Sequence, residues 1–430
     1  MQKYLLLLLP ALIYGEDFFS LLKLADNNLL LQAKSQEVTA KEALYKAAKA
    51  KDYPTLDAKL SAIYLKDTPT ASFQLPFPGI PQHIQMGKKP NYSVEIALTY
   101  PLFTGFAISS LIDKAKLDAA KAHLEKADAK RRLYMQIATL YGALYSVKGA
   151  ITANQHAKEA TETSWKKANG FFKAGLLAPS DLENIRAKKY EISAALQELK
   201  SQKRGLLRLL SYLTDTKITQ IAQLPHVSLP SREMLMESAL HAREDIAALH
   251  KALEMDKQDL KLAKSARYPS LALIGALKSQ GDTLRLNGDG FSNPNKSYIG
   301  AAVEYKLFDG FATKAQIEAA KAKKMGRLLY LRDYERKVET TLESEMDTLE
   351  ALLEQKEAKE AQYKAQESYY RLTKGRFANH LAGADELSRA IAARATAQAQ
   401  YQAIEAKIFE QKCKILLESS LKTFTKGMGV

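Results

Sequence analysis

Two sequence landmarks occur twice in this chain, about half its length apart. The sequence YPTL at residues 53–56 returns as YPSL at residues 268–271, and LFTGF at residues 102–106 returns as LFDGF at residues 307–311. Gly105 lies 77 positions before Leu182, and Gly310 lies 77 positions before Leu387. Repeated spacing of this kind is typical of a duplicated structural unit. The chain is therefore expected to fold as two copies of one arrangement, with the length difference confined to one loop.

Alternating residues after each tyrosine-proline pair predict β-strands. In the first copy, apolar residues occupy every second position in residues 56–64 and again in residues 92–100. The second copy has the same alternation in residues 299–307 and a weaker one in residues 269–278. Pro54 and Pro269 are expected to end the helix before each first strand, because proline lacks an amide donor. The sequence thus predicts four strands of about 10 residues each.

Strands of this length can cross a membrane, since a tilted membrane-spanning strand needs roughly 9–11 residues. Four strands cannot close a barrel by themselves, and an open edge in lipid would leave backbone groups unpaired at a cost of several kcal/mol each. Several chains sharing one barrel would remove those edges. A small soluble antiparallel sheet with one face in water is the alternative that the strand pattern leaves open.

Each strand pair is followed by a long helical segment. Residues 107–172 and 312–374 contain no proline, and apolar residues recur in steps of three and four, which is a heptad pattern. Helices of sixty-odd residues would span on the order of 100 Å. Gly175, followed by a proline and an aspartate, predicts the turn from the first long helix to its partner. Helices this long have to pack side by side, as hairpins or as a helical tube.

The amino terminus has the pattern of a secretory signal. Lys3 precedes an apolar run over residues 4–14, and Gly15 follows that run. No later run reaches the ~18 apolar residues of a membrane helix. The only cysteine, Cys413, lies far from the amino terminus, so neither a disulfide framework nor an acylated start is expected, and this residue is expected to be buried. We expect the chain to be exported without a helical anchor.

The sequence gives no support for catalysis or for a bound cofactor. Its seven histidines are scattered, and no glycine-rich phosphate loop is present. The formal net charge of +15 could favour nucleic acid, but lysine and arginine are mixed with acids along the helices and form no block with aromatic residues. We therefore expect no enzyme activity, cofactor, metal site or nucleic-acid binding. Excess lysine on the outer helix surfaces could instead favour an acidic partner or anionic lipid head groups.

Taken together, these marks resemble the TolC-like outer-membrane efflux proteins. The resemblance covers residues 17–422 and depends on the repeated landmarks and on FxxG followed by Asp-Leu at Phe172, Gly175, Asp181 and Leu182. It implies a membrane β-barrel combined with a long α-helical coiled-coil barrel. In that architecture a homotrimer shares twelve strands, four from each chain, in the outer-membrane lipid of a Gram-negative bacterium. The helical tube extends into the periplasm, where a periplasmic adaptor protein connects it to an inner-membrane transporter.

The resemblance also divides the chain into segments. Residues 1–15 are the signal peptide. The first repeat, residues 16–213, contains a strand pair at 54–103 and a hairpin at 107–213, and the second repeat, residues 232–425, contains a strand pair at 269–308 and a hairpin at 312–425. Residues 214–231 link the repeats, residues 426–430 form a tail, and the short carboxyl end beyond Lys422 is expected to be frayed. Residues 65–91 and 279–297 are the expected extracellular loops.

The resemblance places a narrow aperture where the helical tube ends in the periplasm. The candidate aperture residues are Phe172, Asp181, Phe377, Glu386 and Arg389. The correspondence is partial: phenylalanines stand where the family has a tyrosine, Ala382 where it has an arginine, and Arg389 where an acid is common. Asp181 and Glu386 could form a ring of six carboxylates in a trimer. The alternative is that each carboxylate only stabilises the amino terminus of its own helix.

Two other classes of protein compete with a channel. A periplasmic adaptor would have one helical hairpin between β-rich modules, and an exported coiled-coil structural protein would not need amphipathic strands. The chain has two hairpins, two strand pairs and the repeated turn positions Pro54, Gly105, Gly175, Pro269 and Gly310. The sequence therefore favours a channel over these two classes, and the resemblance implies a passive outer-membrane conduit whose pump chooses the cargo.

Overall fold

The computed structural model of the chain describes residues 16–72, 83–290 and 292–428. The predicted signal peptide at residues 1–15 lies outside the described residues, as do residues 73–82 of the first predicted extracellular loop.

The described residues form nine helices and six strands. The helices are α1 (Phe18–Ala25), α2 (Leu29–Ala50), α3 (Ala107–Lys173), α4 (Pro179–Thr214), α5 (Arg232–His241), α6 (Glu244–Ser265), α7 (Ala312–Ala378), α8 (Ala384–Ser419) and α9 (Leu421–Met428). The strands are β1 (Thr55–Tyr64), β2 (Thr70–Ser72), β3 (His83–Gln85), β4 (Pro90–Phe103), β5 (Ser270–Gly281) and β6 (Tyr298–Glu304).

The chain divides into two compact units. A helical unit contains the described residues up to Glu37, His123–Ala248 and the described residues from Leu331 onward, and a sheet unit contains the described residues of Val38–Ala122 and Leu249–Tyr330. Each unit draws on both predicted repeats. The repeats are therefore combined within each unit and do not form two separate domains.

The sheet unit contains a four-stranded antiparallel sheet in the order β1-β4-β5-β6. The central pair, β4 with β5, joins the two repeats, with Tyr92 opposite Gly281. The predicted strands are present at their expected places, except that β6 ends at Glu304 and does not reach Leu307. Glu304 pairs with Ser270, and the next residue of β5 toward its start would be Pro269, which has no amide to extend the ladder.

Aromatic rings fill the core of the helical unit around Phe18. The Phe18 ring makes edge-on contacts with Tyr141, Phe409 and Phe424 at centroid distances of 5.2, 5.1 and 6.4 Å, a geometry that aromatic rings favour. Phe424 belongs to α9, and both it and Met428 are buried. The expected fraying beyond Lys422 is therefore wrong for residues 423–428, because the apolar side of α9 packs into this core.

Cys413, the only cysteine, is fully buried on α8. Burial raises the pKa of its thiol, because the charged thiolate is poorly solvated there. The prediction of a buried apolar role for this residue is confirmed.

Two buried arginines connect α3 and the start of α6 to the end of α8. Arg131 pairs with Asp128 at 2.6 Å and donates to the Leu417 carbonyl at 3.1 Å. Arg243 pairs with Asp245 through two hydrogen bonds of 2.8 and 3.0 Å and donates to the Glu418 carbonyl at 3.1 Å. Buried charges of this kind are tolerated only when they are paired and hydrogen-bonded. The arginines therefore fix how these helix ends meet.

Glu244 lies in the same cluster but is incompletely paired. One carboxylate oxygen accepts a hydrogen bond from the Leu421 amide at 3.0 Å. The other has no hydrogen-bond partner among the described residues, although Arg131 Nε lies 3.7 Å away. Burial raises the pKa of Glu244, despite the opposing effects of its hydrogen bonds and of the Arg131 charge.

Candidate functional site

The predicted aperture residues lie in and beside two helix turns. The first turn joins α3 to α4, and the second joins α7 to α8. In the first, Gly175 adopts a left-handed φ of +70°, and the Leu176 amide donates to the Phe171 carbonyl at 2.8 Å. The second turn has the same hydrogen bond, from the Leu381 amide to the Arg376 carbonyl at 2.8 Å. The two turns thus close their helices in the same way.

His380 takes the place of Gly175 in the second turn. Its φ is +61°, a left-handed conformation that is uncommon for residues other than glycine. The Phe171 ring lies 4.2 Å from the His380 ring and 5.9 Å from the Phe377 ring, between centroids. These contacts place the two turns side by side. Sequence reasoning did not single out Phe171 or His380, and only the contact between the turns identifies them.

The two predicted phenylalanines are not equivalent in the structure. Phe172 is 39% exposed, whereas Phe377 is 4% exposed and belongs to a buried apolar cluster with Tyr370 and Leu387. In the first turn, the ring that packs against this cluster is that of Phe171. Phe377 therefore packs inside the chain and contacts Phe171 of the first turn, so the ring that packs against the other turn differs by one residue between the two turns.

The three charged candidates also differ in their surroundings. Glu386 pairs with Arg376 at 2.8 Å, and Arg376 also donates to the Leu381 carbonyl at 3.0 Å. Arg389 forms an exposed pair with Asp385, also at 2.8 Å. Asp181 has no ion pair among the described residues. The structure therefore brings none of these three side chains together, and it balances the charge of Glu386 but not that of Asp181.

The other turn positions direct the chain into and out of the sheet. Pro54 and Pro269 immediately precede β1 and β5. Gly105 and Gly310 follow the second strand of each copy with φ of +60° and +63°. A Cβ on Gly105 would lie 2.6 Å from the Ser265 carbonyl oxygen, whereas a Cβ on Gly310 would meet nothing within 4 Å. Gly105 is therefore required by both its backbone conformation and its close neighbour.

A basic groove lies between α3, α7 and α8, close to the two turns. Tyr370, Phe377 and Leu387 are its buried apolar residues, and its cations include Lys167, Lys374 and Arg394. The Arg394 guanidinium lies 4.9 Å from the Tyr370 ring centroid, within the range of a cation–π interaction. Glu159 is the only acid among the lining residues. Arg394 is paired with Glu367, so Lys167 and Lys374 provide the positive rim above the apolar floor.

The described helices include none that is both long enough and apolar enough to cross a membrane. Within the same described ranges, no group of three or more histidine, cysteine or acidic residues could hold a metal ion.

Comparison with known proteins gives one family and a set of similar folds. Residues 21–211 and 235–411 match the family model described as outer membrane efflux protein. The outer membrane protein VceC from Vibrio cholerae is 16% identical with a TM-score of 0.76, covering 96% of both chains. The Campylobacter jejuni CmeC outer membrane channel is 16% identical with a TM-score of 0.77, covering 95% of this chain and 86% of that one.

The open-state MtrE outer membrane channel from Neisseria gonorrhoeae is also 16% identical, with a TM-score of 0.74 over 96% of this chain and 88% of that one. No curated protein sequence matches the chain significantly. At these identities the similarity to solved structures shows a shared fold, and the family match rests on the sequence itself.

Proposed function

Because the chain belongs to the outer membrane efflux protein family, we propose that it forms the outer-membrane conduit of a tripartite efflux or secretion system. As a family member it is an outer-membrane efflux channel. The finer proposal is that three copies share one twelve-stranded barrel, that the helical hairpins continue into the periplasm, and that a periplasmic adaptor connects them to an inner-membrane transporter. The conduit is passive, and its pump selects the cargo.

The observation that carries this proposal is the pair of open edges of the sheet. Among the described residues, β1 pairs only with β4, and β6 pairs only with β5. Leu60 on β1 is 78% exposed, and Ile299 on β6 is 79% exposed. Unpaired strand edges with exposed apolar side chains promote association with another chain. In a membrane they have to be paired.

The directions of the strands allow the two open edges of neighbouring copies to pair. The four strands alternate in direction, so β1 and β6 run antiparallel to each other. Joining β6 of one copy to β1 of the next therefore continues the alternation without interruption. Three copies give an even number of antiparallel strands, as in bacterial outer-membrane barrels. The 10 residues of β1 also suit a tilted membrane span.

The basic groove near the helix turns supports docking of an acidic periplasmic partner. Its positive rim would attract carboxylates, and its apolar floor would accept a packed side chain. Attraction between exposed charges weakens as salt is added. Binding of the cognate adaptor should therefore fall between low and high salt, and unchanged binding would argue against this docking mode.

We propose that the conduit opens by a shift of the helices at the two turns. Two ion pairs lie within the second turn and its helices, Arg376 with Glu386 and Arg389 with Asp385. The contacts of Phe171 with Phe377 and His380 instead connect the first turn to the second. A partner can favour the open arrangement only by binding it more tightly than the closed one.

The test is the oligomeric mass of protein extracted from the outer-membrane fraction with detergent, compared before and after heating. The proposal predicts a heat-sensitive species of about three times the mature mass, because the shared barrel holds the copies together. Extraction of a monomer by salt or alkali would overturn the proposal and favour an adaptor or a coiled-coil structural protein.

A further inference from the structure

One face of α7 carries an unusually dense row of carboxylates. Its members are Glu339, Glu343, Asp347, Glu350, Glu354 and Glu357, all of them exposed. Successive members are three or four residues apart, so they follow one side of the helix. Residues 338–355 contain no lysine or arginine. We call this surface the acidic stripe.

The acidic stripe is poorly neutralised within the chain. Glu343 lies 3.8 Å from Arg232, in a pair exposed on both sides. The other five members have no ion pair among the described residues. Like charges three or four residues apart destabilise a helix. A stripe of this length therefore favours a cationic surface that does not lie against it within the same copy.

A matching row of cations lies on α4. Lys200, Arg204 and Arg208 are exposed and four residues apart, so they also share one side of their helix. Residues 199–214 contain no acid, and none of the three cations has an ion pair within the described part of the chain. Leu209 and Tyr212 are exposed beside them. We call this surface the basic stripe.

The two stripes lie at the same distance from the helix turns. Lys200, Arg204 and Arg208 are 21, 25 and 29 residues beyond Pro179, where α4 begins. Glu357, Glu354 and Glu350 are 21, 24 and 28 residues before Ala378, where α7 ends. Phe171 and His380 place the two turns side by side. At about 1.5 Å per residue, each cation is level with one carboxylate to within about 2 Å.

The stripes do not pair with each other inside the chain. Among the described residues, no hydrogen bond, ion pair or ring contact joins α4 to α7. α4 pairs with α3, where Lys189 lies 3.6 Å from Glu162, and α7 pairs with α8, where the Tyr363 and Tyr401 rings stack at 6.2 Å. Thr139 on α3 in turn donates to Glu410 on α8 at 2.8 Å. α4 also packs directly against α8, so α8 lies between the two helices that carry the stripes.

The repeated helices lack these stripes at the equivalent positions. A shift of 205 residues, the separation of Gly105 and Gly310, relates one copy to the other. Residues 134–152 of α3, which correspond to the acidic stripe, contain no acid. Arg204 and Arg208 correspond to Phe409 and Cys413 of α8, which are buried. The acidic stripe and the two arginines therefore have no counterparts at the equivalent positions of the other copy.

We propose that the acidic stripe of one copy binds the basic stripe of a second copy, with Lys200 opposite Glu357, Arg204 opposite Glu354 and Arg208 opposite Glu350. This inference rests on the proposed trimer. Because two different surfaces meet, the contact is head-to-tail, and such contacts close into a ring when the rotation between copies permits it. The charges select the neighbouring copy and fix the level at which the hairpins meet.

Charge reversal tests the pairing. One variant carries Lys200→Glu, Arg204→Glu and Arg208→Glu, a second carries Glu350→Lys, Glu354→Lys and Glu357→Lys, and a third combines all six. Each triple variant should lower the yield of heat-sensitive trimer at least about tenfold, since like charges across an interface oppose association. The variant with all six substitutions should restore the yield of trimer.

The outcomes separate this inference from the proposed function. A wild-type chain that forms no trimer overturns the proposed assembly. A wild-type trimer whose yield neither triple variant lowers overturns the stripe pairing and leaves the trimer in place. The pairing is also overturned if the triple variants lose the trimer and the variant with all six substitutions does not recover it.

A disulfide cross-link tests the level of contact without reversing any charge. Arg204→Cys combined with Glu354→Cys should give covalently linked copies on oxidation, whereas Arg204→Cys combined with Glu339→Cys should not. Glu339 is 15 residues from Glu354 on α7, about 22 Å along the helix, and a disulfide needs Cα atoms within about 7 Å. Cys413 is buried and does not compete. Absence of linked copies in the first pair, or equal linking in both, would overturn the proposed register.

Discussion

The ring of Phe171, at the end of α3, lies 4.2 Å from the imidazole of His380 in the turn between α7 and α8. With the nearby Phe377 ring, this contact is what connects the two turns directly. The charged residues around it pair within their own turn. If the channel opens by movement of these turns, the aromatic contact has to change.

Phe171→Ala should increase the fraction of time that the channel is open. Loss of the ring removes contacts with both His380 and Phe377, and an aromatic pair contributes roughly 0.5–1.5 kcal/mol beyond its burial. Single-channel recording in planar bilayers measures the open fraction. Phe172→Ala is the matched control, because Phe172 is more exposed and has no ring contact among the described residues. Equal effects of the two substitutions would contradict a specific role for Phe171.

Asp181→Asn should reduce cation selectivity more than Glu386→Gln does. Arg376 balances the charge of Glu386 at 2.8 Å, whereas Asp181 keeps an unpaired charge near the first turn. The reversal potential in a salt gradient measures the difference between the two variants. Wild-type selectivity in the double variant would rule out a carboxylate ring and favour simple stabilisation of the helix amino termini.

Gly105→Ala should destabilise the protein more than Gly310→Ala. Both glycines have a left-handed φ, which costs other residues about 1–2 kcal/mol, but only at Gly105 would the added methyl group overlap the Ser265 carbonyl and Tyr268. Thermal unfolding in detergent, followed by circular dichroism, measures the two midpoints. Equal midpoints would mean that the backbone near Ser265 moves aside without cost.

Arg243→Met should lower the free energy of unfolding by about 3–5 kcal/mol, since removal of one partner leaves buried charges uncompensated. Asp245 and Glu418 would lose their nearest shared cation, and Arg131 lies farther away, at 3.3 and 3.9 Å. Denaturant titration measures the loss. Arg389→Met is the control, because its pair with Asp385 is exposed and exposed pairs contribute about 0–1 kcal/mol. A small effect of Arg243→Met would show that water or a rearranged side chain replaces the guanidinium.

Glu244→Gln should stabilise the protein at neutral pH and have less effect near pH 4. Burial raises the pKa of the Glu244 carboxyl above its unfolded value of about 4.3. For an acid with a raised pKa, the folded state binds the proton more tightly, so stability falls as pH rises from the unfolded pKa through the folded one. Unfolding midpoints measured from pH 4 to pH 8 test the sign. A variant less stable than wild type at pH 8 would contradict it.

The strand pairs and hairpins could be predicted because their signals are local. Alternation in residues 92–100 and the heptad steps after Gly105 depend only on the period of apolar residues. The inward ring at Phe171 could not be found in this way, because a one-residue difference between two turns depends on the packing of one turn against the other. The burial of α9 depends similarly on distant residues, because Phe424 packs against Phe18 of α1 and Tyr134 of α3, and no local pattern in residues 421–428 shows these contacts.

The helix lengths have a consequence for how such a chain can change over time. α3 and α7 each contain 67 residues, and α4 and α8 each contain 36. One extra residue in any of them would rotate everything after it by about 100° and misalign its partner. The helical hairpins can therefore become longer or shorter in the periplasm only if matching insertions or deletions occur in both of them. The four helices therefore have to evolve together to match the distance between the two membranes, whereas the surface loops can change in length independently.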